Sequence, residues 1–248
     1  MIYLDHASTS PVLPEVRDEI ISAMDRVSGN PSNLHRAGQE AARLLRTSRT
    51  RIAECLDVLP TEILFCSCGT EANNWVLEST AVIHPDLDLL ALSTMEHASV
   101  HFKAESLRGR VKEVDFYPVN EEGVLDLSGL SEKLRGKKTF FSLLAVNNET
   151  GVVQPLEEVR AFANGNALIL HSDATQALGK IPFQPSKLGL DFATFSGHKI
   201  GAPKGIGFLF KKQSAAFSTL LHGGTQALGS RGGTDNLPDI AGLAQAGE

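Results

Sequence analysis

The feature that most constrains this fold is a change of period repeated along the chain. Short apolar runs, each fit for a buried strand, are separated by stretches with apolar residues at helical spacing. The runs are "EILF" 62–65, "DLLALS" 88–93, "VKEVDFY" 111–117, "FFSLLAV" 140–146, "ALILHSD" 167–173, "DFATFS" 191–196 and "GIGFLF" 205–210. Helices are expected over 71–83, 99–108, 126–135 and 156–164. Before the first strand, Val16, Ile20, Ala23, Met24 and Val27 form one apolar face. A second face runs over 34–56, and the turn-rich loop "SGNPSN" 28–33 separates the two. Strands divided by helices require crossover connections, so the expectation is a three-layer α/β/α domain around a mostly parallel seven-stranded sheet. "SGHKIGAPKG" is too short for a crossover helix, so the last two strands should be joined by a loop, with at least one antiparallel pairing.

Composition narrows the function classes. The chain has 248 residues, 42% of them apolar, and a formal net charge of −6. Only "RGKK" 135–138 and "KK" 211–212 concentrate positive charge, which argues against a nucleic-acid surface. Three cysteines, Cys55, Cys66 and Cys68, make an odd count without framework spacing, which fits a reducing, cytoplasmic setting. "CSC" offers two metal ligands and no histidine nearby completes four, so no metal is expected. No apolar stretch reaches membrane-spanning length, and "MIYLDHAST" lacks the form of a secretory signal. Cys66 and Cys68 read as packed small residues.

In open α/β sheets, sites form beyond the carboxyl ends of strands. Four polar groups fall at such ends: "CGTEAN" 68–73, "NNET" 147–150, "SDATQ" 172–176 and "SGHK" 196–199. Lys199, between two apolar strands, is in a setting where an amine loses its proton readily and forms an imine. Imine chemistry with pyridoxal phosphate needs an acid facing the pyridine nitrogen, and Asp173 is the candidate. Gly69, Thr70 and the free amides opening the next helix suit a phosphate. Neither a P-loop nor a dinucleotide fingerprint is present. Taken singly, each residue has an ordinary reading: Asp173 and Thr70 as helix caps, His97 as a helix-start histidine, Asn148 as a turn residue. His171, two positions before Asp173, either supports it or packs in the core.

Several motifs together resemble the cysteine desulfurases, a branch of the class V aminotransferase-like group within the fold-type I pyridoxal phosphate enzymes. They are "YLDHASTSPV" 3–12, "GNPSNLHRAG" 29–38, "GTEANN" 69–74, "STMEHASV" 93–100, "NNETGVVQP" 147–155, "HSDATQALGKIP" 171–182, "SGHKIGAPKGIG" 196–207, "HGGTQ" 222–226 and "GSRGGTDN" 229–236. The resemblance implies pyridoxal 5'-phosphate as cofactor and L-cysteine as substrate, with alanine and a transferable persulfide as products. Lys199 would hold the cofactor covalently and move protons. His97 would stack on its ring and assist acid–base steps. Asp173 would face the ring nitrogen, and Gln176 and Asn148 its phenolic oxygen. Gly69, Thr70, Ser196 and His198 would bind its phosphate. Thr234 would reach the phosphate of a neighbouring subunit, which implies a homodimer with shared sites, and Asn30 and Asn148 would lie near substrate.

The resemblance also divides the chain into an extended segment, 1–15, and a cofactor-binding large domain, 16–248. A C-terminal small domain, with the persulfide cysteine and the arginine that grips the substrate carboxylate, is expected to be absent from this chain. Such a domain could come from a separate partner. Partners implied further on are a sulfur-acceptor or iron–sulfur scaffold protein. Two other readings stay open: another class V aminotransferase or lyase, and a non-catalytic assembly module that kept the fold.

Overall fold

The computed structural model describes residues 2–162, 167–224 and 226–247. Two helices, α1 (Pro14–Arg26) and α2 (Arg36–Leu56), precede strand β1 (Ile63–Cys66). Then come α3 (Gly69–Ile83), β2 (Leu89–Ser93), α4 (Ala98–Ser106), β3 (Val114–Tyr117), α5 (Leu130–Leu134), β4 (Thr139–Ser142), α6 (Leu156–Ala161), β5 (Leu168–Asp173), β6 (Phe192–Ser196), β7 (Gly207–Lys211) and α7 (Leu237–Ala246). The strands form one seven-stranded sheet in the order β1-β7-β6-β5-β4-β2-β3. Pairing is parallel from β3 across to β6, and β7 runs antiparallel to both its neighbours. The three-layer α/β/α expectation and the antiparallel final pairing both hold.

Alternation along the strands sends side chains to two cores. Phe65, Phe141, Phe195 and Phe208 meet Ile52 and Leu56 of α2, Val159 of α6 and Leu243 of α7. Leu64, Leu92, Phe140 and Phe192 meet Trp75 and Val76 of α3 and Val100 of α4. Trp75 is fully buried, and its indole N–H donates to the Ser218 carbonyl at 2.8 Å.

Several boundaries differ from the sequence expectation. The 126–135 helix shrinks to the single turn α5, entered through Gly129 at φ 68. The strand expected over 111–117 begins only at Val114. The run 140–146 stops being strand after Ser142, although Leu143 and Ala145 still donate to the β5 carbonyls of His171 and Asp173. Helix α1 starts at Pro14, inside the stretch read as extended, because proline's fixed φ and missing N–H suit a first helical turn. The helix expected over 156–164 is helical to Ala161, and its last two positions lie outside the described residues.

One glycine sets how closely the sheet approaches the turn after β1. A Cβ at Gly207 would lie 2.7 Å from the Phe195 carbonyl oxygen and 2.9 Å from the backbone of Cys68. Backbone on both sides cannot move aside as a side chain would. Gly207→Ala should therefore destabilise the fold by about 1–3 kcal/mol, checked by urea unfolding. An unchanged midpoint would mean that this contact relaxes freely.

Candidate active site

The carboxyl ends of β1, β4, β5 and β6 open on one cavity of about 230 Å³, where the loop ahead of α4 joins them. It brings together Gly69, Thr70, His97, Asn148, Asp173, Gln176, Ser196, His198 and Lys199, residues spread over 131 positions of sequence, from 69 to 199. Thr234 and Asn30 are not part of its wall. Thr234 is exposed, and Asn30 uses its side-chain oxygen to accept the Ser32 amide at 2.9 Å.

Each element contributes for a local reason. Helix α3 begins at Gly69 directly after the turn that leaves β1. Its free N–H groups and dipole therefore point towards the cavity. A Cβ at Gly69 would sit 3.2 Å from Thr175 Oγ1 and 3.4 Å from Ser196 Cβ, so the missing side chain leaves a polar cradle open. Cys68 corrects the sequence reading. It is half-buried in the cavity wall, and its sulfur caps α3 by accepting the Glu71 amide at 3.4 Å. Cys66 is buried as expected, and burial pushes its thiol far above the ordinary range.

Asp173 ends β5, nearly buried. Its Oδ2 accepts Asn73 Nδ2 at 2.7 Å and its Oδ1 accepts the Thr175 amide at 3.0 Å. Lys199 sits in a short 3₁₀ turn, Gly197–Lys199, beyond β6. Its Nζ donates to the carbonyls of Ala7 at 2.5 Å and Ser8 at 2.6 Å. Burial lowers the basicity of this amine, against the opposing pull of Asp173, Asp5 and Glu149. The Ala7 carbonyl also accepts Gln176 Nε2 at 2.7 Å, and the Gln176 oxygen accepts from Lys180. The N-terminal segment is thus tied to the site rather than loose. Ser10 donates to the His198 carbonyl at 2.7 Å, and His198 Nδ1 lies 3.0 Å from Thr9 Oγ1.

His97 caps α4: its Nδ1 accepts the Ser99 amide at 3.2 Å and lies 2.8 Å from Ser99 Oγ. A nitrogen that accepts from a backbone N–H carries no proton, so the neutral ring holds its hydrogen on Nε2. Asn148 contacts Glu149 Oε1 at 2.5 Å.

The sequence reading missed three groups. Asn73 is the hub: besides Asp173 it donates to Ser99 Oγ at 2.9 Å, and its oxygen accepts from Thr194. It lies one helical turn after Gly69, inside a quoted motif, so helical spacing could have found it. Thr175 follows Asp173 on the strand exit and was equally within reach. Glu96 carries no periodicity signal. It is buried beside His97 in sequence, and its Oε1 accepts the Leu144 amide at 2.7 Å.

Among the described residues no group of three or more His, Cys, Asp or Glu could hold a metal, and no helix is long and apolar enough to cross a membrane.

The class-V aminotransferase family model matches residues 2–247. A cysteine desulfurase of Trichormus azollae is 38% identical over 248 residues, covering 100% of this chain and 62% of that protein. A cysteine desulfurase IscS of Methanosarcina thermophila is 34% identical, covering 100% and 61%. Among solved structures, a NifS-like protein superposes with a TM-score of 0.95 at 35% identity, over 99% of this chain and 68% of that one. SspA in complex with cysteine gives 0.93 at 30% identity, over 99% and 72%. The chain therefore spans about 62% of the length of such curated relatives.

Proposed function

Because this chain belongs to the class-V aminotransferase family, we propose that it forms the cofactor-binding part of a pyridoxal phosphate-dependent cysteine desulfurase. One observation carries this reading: the Lys199 amine and the Asp173 carboxylate enter one cavity, and the glycine-opened start of α3 lines the same wall. The donor set fits the cofactor. The Gly69 cradle, Thr70, Ser196 and His198 suit a phosphate, Asp173 a protonated ring nitrogen, and Lys199 an aldehyde. When bound, the cofactor supplies an electron sink for the bonds around the substrate α-carbon.

The residues of the chain do the rest. Asp173, fixed by Asn73 and the Thr175 amide, would hold a proton on the ring nitrogen by Coulomb attraction. Lys199 would hold the cofactor covalently, and its free amine would carry the substrate α-proton. His97 would stack on the ring, with its Nε2–H available as a hydrogen-bond donor. Gln176 and Asn148 would supply polar contacts to the phenolic oxygen; Asn148, and Asn30 from outside the cavity wall, would lie near the substrate. Thr234, exposed and outside the cavity wall, would reach the phosphate of a second copy in a homodimer.

L-Cysteine is the substrate, in line with the cysteine complex of SspA. No arginine lines the cavity among the described residues. We propose that the carboxylate-gripping arginine and the sulfur-accepting thiol lie in the part of the relatives' length that this chain does not span, or in a partner. From that thiol the sulfur passes to an acceptor protein.

The test is to load the chain with pyridoxal phosphate, reduce it with borohydride and map the adduct by peptide mass spectrometry. Attachment at Lys199 is expected, and no attachment anywhere would overturn the reading. Alanine formed from L-cysteine by a protein that spans the relatives' full length tests the desulfurase branch. Transamination or racemisation instead would move the chain to another class V activity.

A further inference from the structure

Asp173 and His97 are the two groups proposed to bear on the cofactor ring, one at its nitrogen and one on its face. The structure joins them through two further residues of the cavity wall, Asn73 of α3 and Ser99 of α4. Asn73 is buried, and its Nδ2 lies 2.7 Å from Asp173 Oδ2 and 2.9 Å from Ser99 Oγ. Ser99 Oγ in turn lies 2.8 Å from His97 Nδ1. The next residue, Asn74, ties the two helices a second time: its Nδ2 donates to the carbonyls of Thr70 and Ser99, both at 3.0 Å. Behind Asn73 a fully buried layer continues the contacts. Thr194 meets Asn73 Oδ1, His171 Nε2 lies 3.4 Å from Thr194 Oγ1, and Ser142 Oγ lies 2.9 Å from His171 Nδ1.

Hydrogen counting orients each bond from Thr194 to His97. As a carboxylate, Asp173 only accepts, so the nitrogen of the Asn73 amide faces it and the amide oxygen takes the Thr194 hydroxyl. That nitrogen has two hydrogens and two acceptors in reach, Asp173 and Ser99. Having accepted one of them, Ser99 Oγ keeps its own hydrogen for His97 Nδ1. The Ser99 backbone amide donates to the same ring nitrogen at 3.2 Å. A flipped Asn73 would set its oxygen against the Asp173 carboxylate and leave Ser99 without its donor.

We propose that Asn73 is a positioning residue for both ring-binding groups: one amide hydrogen orients the Asp173 carboxylate, and the other makes Ser99 the donor that fixes the His97 ring with its hydrogen on Nε2. A single buried side chain, locked from behind by Thr194, thereby sets two cavity groups that stand 76 positions apart, at 97 and 173. The inference rests on the proposed cofactor roles of Asp173 and His97, but its first test uses the cofactor-free chain.

That test reads the tautomer of the neutral His97 ring by nitrogen-15 NMR. The parent should show Nε2–H. Asn73→Asp acts on His97 through Ser99. The oxygen that replaces Nδ2 is either ionised or shares one proton with Asp173, and in both cases it has no hydrogen for Ser99. The Ser99 hydroxyl then turns to that oxygen and withdraws from His97. The ratio of Nδ1–H to Nε2–H should rise about threefold to tenfold, and by a similar factor in Ser99→Ala, which lacks the hydroxyl. Ser99→Thr, which keeps it, should show the parent tautomer. Nδ1–H in the parent, or an unchanged ratio in either Asn73→Asp or Ser99→Ala, would overturn the inference. Ser99→Ala, at the half-buried start of α4, keeps the test decisive if Asn73→Asp does not fold.

The second test is equilibrium binding of pyridoxal phosphate. Asn73→Ala removes the donor to Asp173 as well as the donor to Ser99, and should bind about tenfold to a hundredfold more weakly than the parent. Ser99→Ala loses only the His97 branch and should bind about threefold more weakly. Parent-like affinity in Asn73→Ala would overturn the inference. Failure of the parent to bind the cofactor would defeat the functional reading and leave the tautomer test standing.

Discussion

Replacing Lys199 by alanine should abolish borohydride-stable attachment of pyridoxal phosphate and slow any step that moves the substrate α-proton by about 10²–10⁴-fold. The informative control is the nearby Lys180. Burial and the Lys199 charge both lower its basicity, so it too has a usable amine. Lys180 is engaged with the Gln176 oxygen, whereas Lys199 donates to two backbone carbonyls of the N-terminal segment. Lys180→Ala should therefore keep the attachment that Lys199→Ala loses. Trapping that persists in Lys199→Ala and vanishes in Lys180→Ala would reassign the amine. The cofactor should still bind Lys199→Ala non-covalently, because the phosphate cradle and Asp173 do not depend on that side chain.

Asp173→Asn should be nearly as severe, with turnover falling about 10²–10³-fold and the cofactor held more weakly. Two effects combine. The substitution removes the charge that keeps the ring nitrogen protonated. It also turns a donor towards Asn73 Nδ2 in place of an acceptor, while the Thr175 amide still needs an oxygen. Asn73 could flip only by facing its amide group to the Thr194 hydroxyl, which now donates to its oxygen. Cofactor titration and steady-state turnover separate the two effects: Asp173→Glu keeps the charge but not the geometry. Full activity in Asp173→Asn would remove Asp173 from the ring nitrogen.

Much of the site was readable because its parts are local. The quoted runs "SDATQ" and "SGHK" straddle strand ends and "CGTEAN" begins two residues after one, and the rule that α/β sheets bind ligands there grouped them before any contact was known. Thr234 and Asn30 stayed outside the wall, since both came from resemblance alone and not from a strand end. Cys68 was misread because a small residue before a helix is ordinarily either packing or a cap; only the turn geometry makes it cavity wall as well. Glu96 gave no sequence signal. A glutamate ahead of a helix normally points to water, and only the Leu144 amide and the surrounding layer show it buried.

The order of periods along the chain determined the three-layer fold, the mostly parallel sheet and the end of the sheet where chemistry would gather, because each depends on neighbours in sequence. Tertiary structure alone decided which polar atoms meet. Asn73, Thr194, His171 and Ser142 come from one helix and three strands. Their hydrogen bonds exist only because sheet register and the packing of α3 set them side by side, and no local pattern records a register.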